Sequence, residues 1–195
     1  MADFDRLRAL GASELTHGGI RLAHLDETHR EPLRAACAAD PALWREIYSY
    51  SMLGEDFDRW WRCENGRTPA WISFAVLDGD AVVGVTNYLN IVPADDTLEI
   101  GGTYLAPAAR GTGANRAMKL LMLDNAFNAG ARRVEFRVDA INARSRAAVT
   151  KLGANLDGIL RQHRRVWTGR LRDTCVFSIL ADEWPRLRPR LLGEG

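Results

Sequence analysis

Residues 97–119 read TLEIGGTYLAPAARGTGANRAMK. The first nine residues of this stretch are rich in apolar and β-branched side chains, and they predict a strand that ends near Leu105. A proline-containing turn and two closely spaced glycines follow, after which apolar residues recur at helical spacing. The sequence therefore predicts a strand, a glycine loop and a helix at about residues 113–128.

The glycine loop has the features of an anion-binding site. The first backbone N–H groups of a helix have no partner within the helix, and this end of the helix carries partial positive charge. Gly111 and Gly113 let an anion approach the backbone closely, and Arg110 adds a charged donor. A phosphate group is the natural ligand of such a loop.

Two common phosphate loops fit this sequence poorly. A Walker A loop requires Gly-Lys-Ser/Thr at its end, whereas Gly113 is followed by Ala114 and Asn115. A dinucleotide fingerprint requires a glycine where Arg116 stands, and an acidic residue about 20 residues further on, whereas Asp139 lies beyond that distance. An NAD-dependent oxidoreductase is therefore a weak hypothesis, but the loop alone leaves it open.

Hydrophobic periodicity places further elements around this loop. The predicted strands are residues 19–25, 70–77, 81–91, 132–138, 156–167 and 173–180, and the predicted helices are residues 26–40, 41–50, 54–66 and a short one within 142–154. The order lacks a repeated strand–helix series. It indicates the α+β class, with mixed α/β character and one right-handed crossover through the helix after Gly113.

Composition limits the classes of function. A chain of 195 residues, 47% of them hydrophobic, fits a single domain over residues 1–195, with residues 1–18 as a lead-in. The 26 basic and 25 acidic residues nearly balance, so no nucleic-acid or membrane partner is expected. Three widely separated cysteines predict no metal site. Without a signal peptide or a bilayer-length apolar run, we expect a cytoplasmic protein.

A second motif follows the strand at residues 132–138. Residues 138–154 read VDAINARSRAAVTKLGA: an asparagine after a strand, a short helix, and Lys-x-Gly-Ala at the helix end. Residues 110–115 also fit the pattern R/Q-x-x-G-x-G/A, with Asn115 in place of the final small residue. In this order and spacing, the two motifs resemble the coenzyme A-binding elements of the GNAT acyltransferases. Residues 19–192 resemble the RimJ/RimL-type branch of that superfamily.

The resemblance implies a GNAT fold, a mixed and mostly antiparallel sheet that splays between the strands at residues 97–105 and 133–138. Acetyl-CoA, the co-substrate, would lie in the split. The implied binding residues are Thr103, Tyr104 and Leu105 for the pantetheine, Arg110, Gly111, Thr112, Gly113, Ala114 and Asn115 for the pyrophosphate, and Asn142, Ser145 and Arg146 on the far side.

Gly101 and Gly102 interrupt an otherwise regular strand. Paired glycines weaken a strand and often mark a bulge or a close backbone approach. A bulge at this point would open the sheet and direct a backbone N–H group of residues 102–104 at the thioester carbonyl. A bulge that serves packing alone is the other interpretation.

Acyl transfer to an amine requires a base, a stabilised oxyanion and a protonated leaving thiolate. Glu99 is the predicted base, because it precedes the glycine pair where the family often places a carboxylate; a strand glutamate paired with an arginine is the alternative. Many GNAT enzymes protonate the thiolate with a tyrosine on the short helix, whereas Val149 stands there in this sequence. Ser145 and Tyr104 are the predicted substitutes, unless the thiolate leaves unaided.

Trp44, Tyr48 and His163 are candidate acceptor-binding residues, although aromatic residues at helical spacing also form cores and His163 also fits a polar strand position. The resemblance implies an N-acetyltransferase that transfers the acetyl group of acetyl-CoA to a primary amine by direct attack in a ternary complex. The acceptor would be a protein N-terminal α-amine or a small-molecule amine. A non-catalytic acyl-CoA-binding module is the alternative, and because enzymes of this branch are often dimers, a homodimer is a further hypothesis.

Overall fold

A computed structural model of the chain describes residues 13–64 and 70–193, together with Leu7, Leu10 and Gly11. Its strands are β1 (Leu15–His17), β2 (Ile20–His24), β3 (Ile72–Asp78), β4 (Ala81–Val92), β5 (Thr97–Leu105), β6 (Arg133–Asp139), β7 (Asn155–Arg165) and β8 (Leu171–Leu180). Its helices are α1 (Arg30–Ala38), α2 (Pro41–Glu46), α3 (Gly54–Glu64), α4 (Ala114–Asn128), α5 (Ala143–Lys151) and α6 (Trp184–Leu192).

The strands form one sheet in the order β1-β2-β3-β4-β5-β6-β8-β7. All neighbouring strands are antiparallel except β5 and β6, which are parallel and are joined through α4. A parallel pair requires a long crossover connection, which α4 supplies. The mixed, mostly antiparallel sheet confirms the predicted fold class.

The sheet separates two apolar clusters, because successive side chains of a strand point to opposite faces. On β3, Phe74 and Val76 pack in the cluster that includes α4 and α6. Ala75 and Leu77 pack in the other cluster, which includes α1, α2 and α3. Helices thus cover both faces of β3, and this strand is buried on both sides.

Strand β5 carries the predicted bulge. Val85 of β4 pairs with Tyr104, but Asn87 pairs with Gly101, so two residues of β5 lie opposite the single residue between Val85 and Asn87. Gly102 adopts φ +56°, a left-handed conformation that glycine takes readily. The paired glycines therefore mark a real break in the ladder.

Strands β5 and β6 separate next to this bulge. They pair only through Thr97, Leu98 and Glu99 of β5 and residues 133–135 of β6. Beyond Glu99 the two strands are no longer hydrogen-bonded to each other. This separation confirms the splayed sheet, and it creates a cleft in the middle of the molecule.

Some elements differ from the sequence prediction. The helix predicted at residues 41–50 ends at Glu46, because Trp167 donates hydrogen bonds from Nε1 to the carbonyl of Trp44 and from its backbone N–H to the carbonyl of Ser49. Strand β1 was not predicted. The end of the helix predicted at residues 54–66 and most of the lead-in lie outside the described residues. Within the described chain, no helix is both long and apolar enough to cross a membrane.

The bulge gives a stability prediction. A Cβ atom on residue 102 would lie 2.7 Å from Asn87 Nδ2 and 2.9 Å from the Tyr50 hydroxyl, in addition to the cost of a left-handed conformation. We expect Gly102→Ala to lower the free energy of unfolding by at least about 2 kcal/mol. Gly169, with φ +91° and open space around it, is the matched control, and Gly169→Ala should cost about 1 kcal/mol. Equal losses in denaturant unfolding would show that the bulge is not tightly packed.

Candidate active site

A cavity of about 710 Å³ lies where β5 and β6 separate. It is bounded by the bulged part of β5, the start of α4, the second half of β6, the start of α5 and the end of β7. The residues predicted for the site that line it are Tyr48, Glu99, Thr103, Leu105, Arg110, Gly111, Asn115, Asn142, Ser145 and His163. Thr112, Gly113, Ala114 and Arg146 do not line it.

Glu99 presents a buried carboxyl group to this cavity. Its Oε2 accepts a hydrogen bond of 2.8 Å from Asn90 Nδ2 and lies 3.5 Å from Arg137 Nε. Burial raises the pKa of Glu99, against the opposing effects of the Asn90 hydrogen bond and the Arg137 charge. A carboxyl group with a raised pKa in a cleft is suited to accept and release a proton.

Gly101 makes room for this carboxylate. A Cβ atom on residue 101 would lie 2.7 Å from Glu99 Oε1. Asn90, which holds the other oxygen, adopts φ +48°, an uncommon conformation for a residue other than glycine. The backbone conformations of β4 at Asn90 and of β5 at Gly101 therefore both accommodate the Glu99 side chain. Asn90 and Arg137 could not be predicted from the sequence, because neither stands in a recognisable motif.

The glycine loop leaves open space at the start of α4. Gly111 and Gly113 adopt φ +80° and φ +97°, and no described heavy atom lies within 4 Å of a Cβ atom built on either residue. Thr112 Oγ1 donates to the carbonyl of Ala109 at 3.0 Å and so holds the turn. The turn is held by a hydrogen bond, and there is free space beside its glycines at the N-terminus of α4. This arrangement fits a bound phosphate group.

Contacts within the protein hold the Arg110 side chain in place. Its Nη1 is paired with the carboxylate of Asp40, its Nε donates to the carbonyl of Leu105 at 2.8 Å, and its guanidinium carbon lies 5.6 Å from the ring centroid of Tyr104. Nη2 is buried without an acceptor among the described residues. Arg110 thus anchors the loop to the end of β5.

Two of the predicted side-chain roles are wrong. Tyr104 is fully buried in the cluster of α1, α2 and α3, where its hydroxyl donates to the carbonyl of Ala36 at 2.8 Å. Trp44 is also fully buried and stacks on Tyr104 with ring centroids 4.7 Å apart. Neither side chain lines the cavity, so Tyr104 is not the thiolate acid and Trp44 does not contact the acceptor.

The remaining candidates lie around the cavity in different settings. The Tyr48 hydroxyl donates to the carbonyl of Thr103 at 2.6 Å, which supports the bulge. Asn142 caps α5, with Oδ1 accepting from the backbone N–H of Ser145 at 2.9 Å. His163 Nδ1 lies 3.1 Å from Thr174 Oγ1, and burial together with neighbouring arginines lowers the pKa of His163.

Lys119 was missed by the sequence analysis. It projects from α4 into the cavity, is only 6% exposed, and donates from Nζ to Thr103 Oγ1 at 2.9 Å. Burial lowers the pKa of Lys119 to about 7. One signal was available: the chain has only two lysines, and this one falls between the buried Met118 and Leu120.

A buried carboxyl group, a loop that fits a phosphate group and a split sheet meet in one cavity, which makes it the candidate active site. The model of the acetyltransferase (GNAT) domain matches residues 20–155 of this chain. The chain therefore belongs to the GNAT acetyltransferase family, and it is an N-acetyltransferase. A search of curated proteins gave no significant match.

Solved structures agree with this assignment. A GCN5-related N-acetyltransferase from Brucella melitensis is 29% identical, with a TM-score of 0.85 over 93% of this chain and 84% of that one. A probable acetyltransferase of the GNAT family from Chromobacterium violaceum is 32% identical, with a TM-score of 0.82 over 88% of each chain. Mycobacterium smegmatis RimJ, solved in complex with CoA-disulfide, shares the fold at 21% identity, with a TM-score of 0.79 over 93% of this chain and 92% of that one.

The buried lysine gives a prediction for pH-dependent stability. The pKa of Lys119 is about 7 in the folded protein and 10.5 when unperturbed, so the unfolded chain binds more protons between these values. Lys119 therefore makes the ligand-free protein gain stability as the pH rises from about 7 towards 10.5. We expect Lys119→Met to lose this gain and to be more stable than wild type below pH 7. If the free energy of unfolding changed with pH in the same way for both proteins, the buried Lys119 would not have a lowered pKa.

Proposed function

We propose that the chain is an acetyl-CoA-dependent N-acetyltransferase that transfers the acetyl group to a primary amine by direct attack in a ternary complex. The observation that carries this proposal is the buried Glu99 carboxyl group beside the bulge, in the same cavity as the glycine loop before α4. A base and a donor site thus share one cleft. Direct transfer requires that arrangement, because the amine must reach the thioester while both substrates are bound.

The residues around the cleft fit coenzyme A. The charge of Arg110, the open flank of Gly111 and the start of α4 suit a pyrophosphate, because all offer positive charge or N–H groups. Asn142 and Ser145 face the same cavity from α5. The complex of RimJ with CoA-disulfide, a protein of the same fold, supports this choice of donor.

Glu99 then acts on the acceptor amine. An α-amine has an ordinary pKa of about 7.7–8.0, so a carboxylate acting directly or through water can remove its proton near neutral pH. The neutral amine attacks the thioester carbonyl, and backbone N–H groups of residues 102–104 stabilise the oxyanion. The tetrahedral centre collapses with loss of the coenzyme A thiolate.

The acceptor is a protein N-terminal α-amine or a small-molecule amine. Two proteins of the same fold are named as enzymes acting on ribosomal proteins, the ribosomal L7/L12 alpha-N-protein acetyltransferase RimL and a ribosomal-protein-S5-alanine acetyltransferase from Vibrio fischeri. They share only 17% and 15% identity with this chain, so they support the RimJ/RimL-like branch at the level of fold. Cytoplasmic location, a single domain and a homodimer stay predictions.

The role of Glu99 is tested by Glu99→Gln. We expect turnover of acetyl-CoA with an amine panel, followed as free thiol, to fall by about 10²–10⁴ because the base is lost. Acetyl-CoA affinity should stay within about twofold of wild type, since the substitution keeps the shape of the side chain. Glu55→Gln is the matched control at an exposed position of α3 outside the cavity, and its effect should be much smaller. Wild-type rates for Glu99→Gln at every pH would remove Glu99 as the base.

The donor site is tested by Gly113→Glu. We expect calorimetric binding of acetyl-CoA to disappear, because a carboxylate would stand beside the pyrophosphate and repel it. Gly169→Glu places the same side chain at an exposed glycine with a similar left-handed φ, which controls for backbone strain. Retained affinity in Gly113→Glu would refute the donor site. Tight acetyl-CoA binding by wild type without turnover of any amine would instead favour the non-catalytic module.

A further inference from the structure

Lys119 lies in the split between β5 and β6. Its Nζ donates to Thr103 Oγ1 of β5 at 2.9 Å and lies 5.9 Å from the ring centroid of Phe136 of β6. The side chain thus rises from α4 into the gap that opens once the two strands stop pairing at Glu99. Its ammonium group is placed on the floor of the cavity rather than at the protein surface.

The described protein leaves most of the hydrogen-bonding capacity of this ammonium group unused. Within the described residues, no carboxylate forms an ion pair with Lys119, and Thr103 Oγ1 is its hydrogen-bond acceptor. That hydroxyl lies 2.8 Å from Thr86 Oγ1, so the network continues through neutral groups. Burying a cation without an anion costs free energy. The position therefore suits a site whose electronegative partner arrives with a ligand.

The order of groups along the cleft indicates which part of the donor meets Lys119. The glycine loop lies at one end, and Lys119 follows Ala114 by five residues, about 7.5 Å along the helix axis. Glu99 and the bulge lie at the other end, and Thr103 is one of the two bulge residues of β5. Lys119 thus reaches from α4 to the bulge itself, the point at which the thioester carbon and its sulfur lie in the proposed arrangement.

We propose that Lys119 stabilises and protonates the departing coenzyme A thiolate, the role for which Val149 offers no acidic group. This inference rests on the proposed function and adds a catalytic residue to it. Tyr104 points away from the cleft, and Ser145 is a much weaker acid than an ammonium group near neutrality.

The acidities of the two groups allow this proton transfer. Burial lowers the pKa of Lys119 to about 7, which brings it near that of a thiol, so a proton can pass between the two groups near neutral pH. Further positive charge lines the cavity from Arg110, Arg137, Arg144, Arg164, Arg165 and Arg172. The remaining titratable groups that face it from the strands are Glu99, Asp139 and His163.

The step balances as follows. The substrate ammonium gives one proton to Glu99, the amine nitrogen forms a bond to the acetyl carbon, and the second proton of that nitrogen passes to water. The carbon–sulfur bond breaks, and its electron pair stays on sulfur. The thiolate takes a proton from the Lys119 ammonium group, which becomes neutral and is protonated again by water. Glu99 releases its proton to water, so one proton is produced for each acetyl group transferred.

The thiol of bound coenzyme A reports on this contact without turnover. Titrating thiolate absorbance in the complex with wild-type protein should give a thiol pKa about one unit below that of free coenzyme A, as found for thiols beside a cation. In Lys119→Met the bound thiol should return towards the free value. Lys119→Arg keeps the positive charge, so the pKa of the bound thiol should stay almost as low as in wild type. The same bound-thiol pKa in wild type and Lys119→Met would overturn the proposal.

Affinities separate contact with sulfur from a structural role. At a pH where the bound thiol is ionised, Lys119→Met should bind coenzyme A about tenfold more weakly than wild type does. This loss corresponds to the difference of about one unit expected between the bound-thiol pKa values of the two proteins. It should bind desulfo-coenzyme A within about twofold of wild type. Equal losses for both ligands would assign Lys119 to shaping the cleft and overturn the proposal. Arg186→Met, which removes an exposed charge on α6, controls for net charge.

Turnover completes the test. We expect kcat of Lys119→Met and Lys119→Arg to fall by about 10²–10³, because neither side chain donates a proton near neutral pH, while KM for the amine stays unchanged. Unchanged kcat in both variants would overturn the acid role. If wild type itself neither bound acetyl-CoA nor released thiol with any amine, the proposed function would fail first. If wild type turns over normally and the Lys119 substitutions do not change kcat, the acid role of Lys119 fails while the proposed function stands.

Discussion

The bulge in β5 is the constraint on which the site depends. Up to Ile100, even-numbered residues of β5 face α4 and odd-numbered ones face the opposite side; Leu98 and Ile100 lie in the cluster of α4 and α6. The extra residue at the bulge reverses this alternation, because two residues of β5 oppose one of β4. Thr103 therefore turns towards Lys119, and Tyr104 turns into the cluster of α1, α2 and α3. One glycine pair thus both opens the cleft and selects the side chains that line it.

The cleft contains a buried acid and a buried base whose pKa values are shifted in opposite directions. Glu99 is buried with a raised pKa, and Lys119 is buried with a lowered one, so both groups stand closer to neutral pH than usual. Low polarity around each group produces both shifts, since burial disfavours the charged form of an acid and of a base alike. A pair of this kind can take a proton from an amine and supply one to a thiolate when the two react at the same carbon atom.

Short-range features of the site could be predicted from the sequence, whereas long-range ones could not. Gly101 and Gly102 mark the bulge through local backbone preference, and the loop before α4 is readable for the same reason. The side-chain directions beyond the bulge were predicted wrongly for Tyr104, because a shift of one residue reverses the alternation of a strand. The partner of Arg110 is Asp40, seventy positions earlier at the start of α2, and no local pattern connects them. Lys119 was overlooked because a lysine in a helix is ordinarily exposed.

The most direct test of this account is a crystal structure of the full chain with coenzyme A. We expect the pyrophosphate beside Gly111 and Arg110, and the pantetheine between β5 and β6. The sulfur is expected next to the bulge and within contact distance of Lys119 Nζ, with Glu99 on the opposite face of the sheet. A ligand bound outside the split, or a sulfur atom remote from both Glu99 and Lys119, would contradict it.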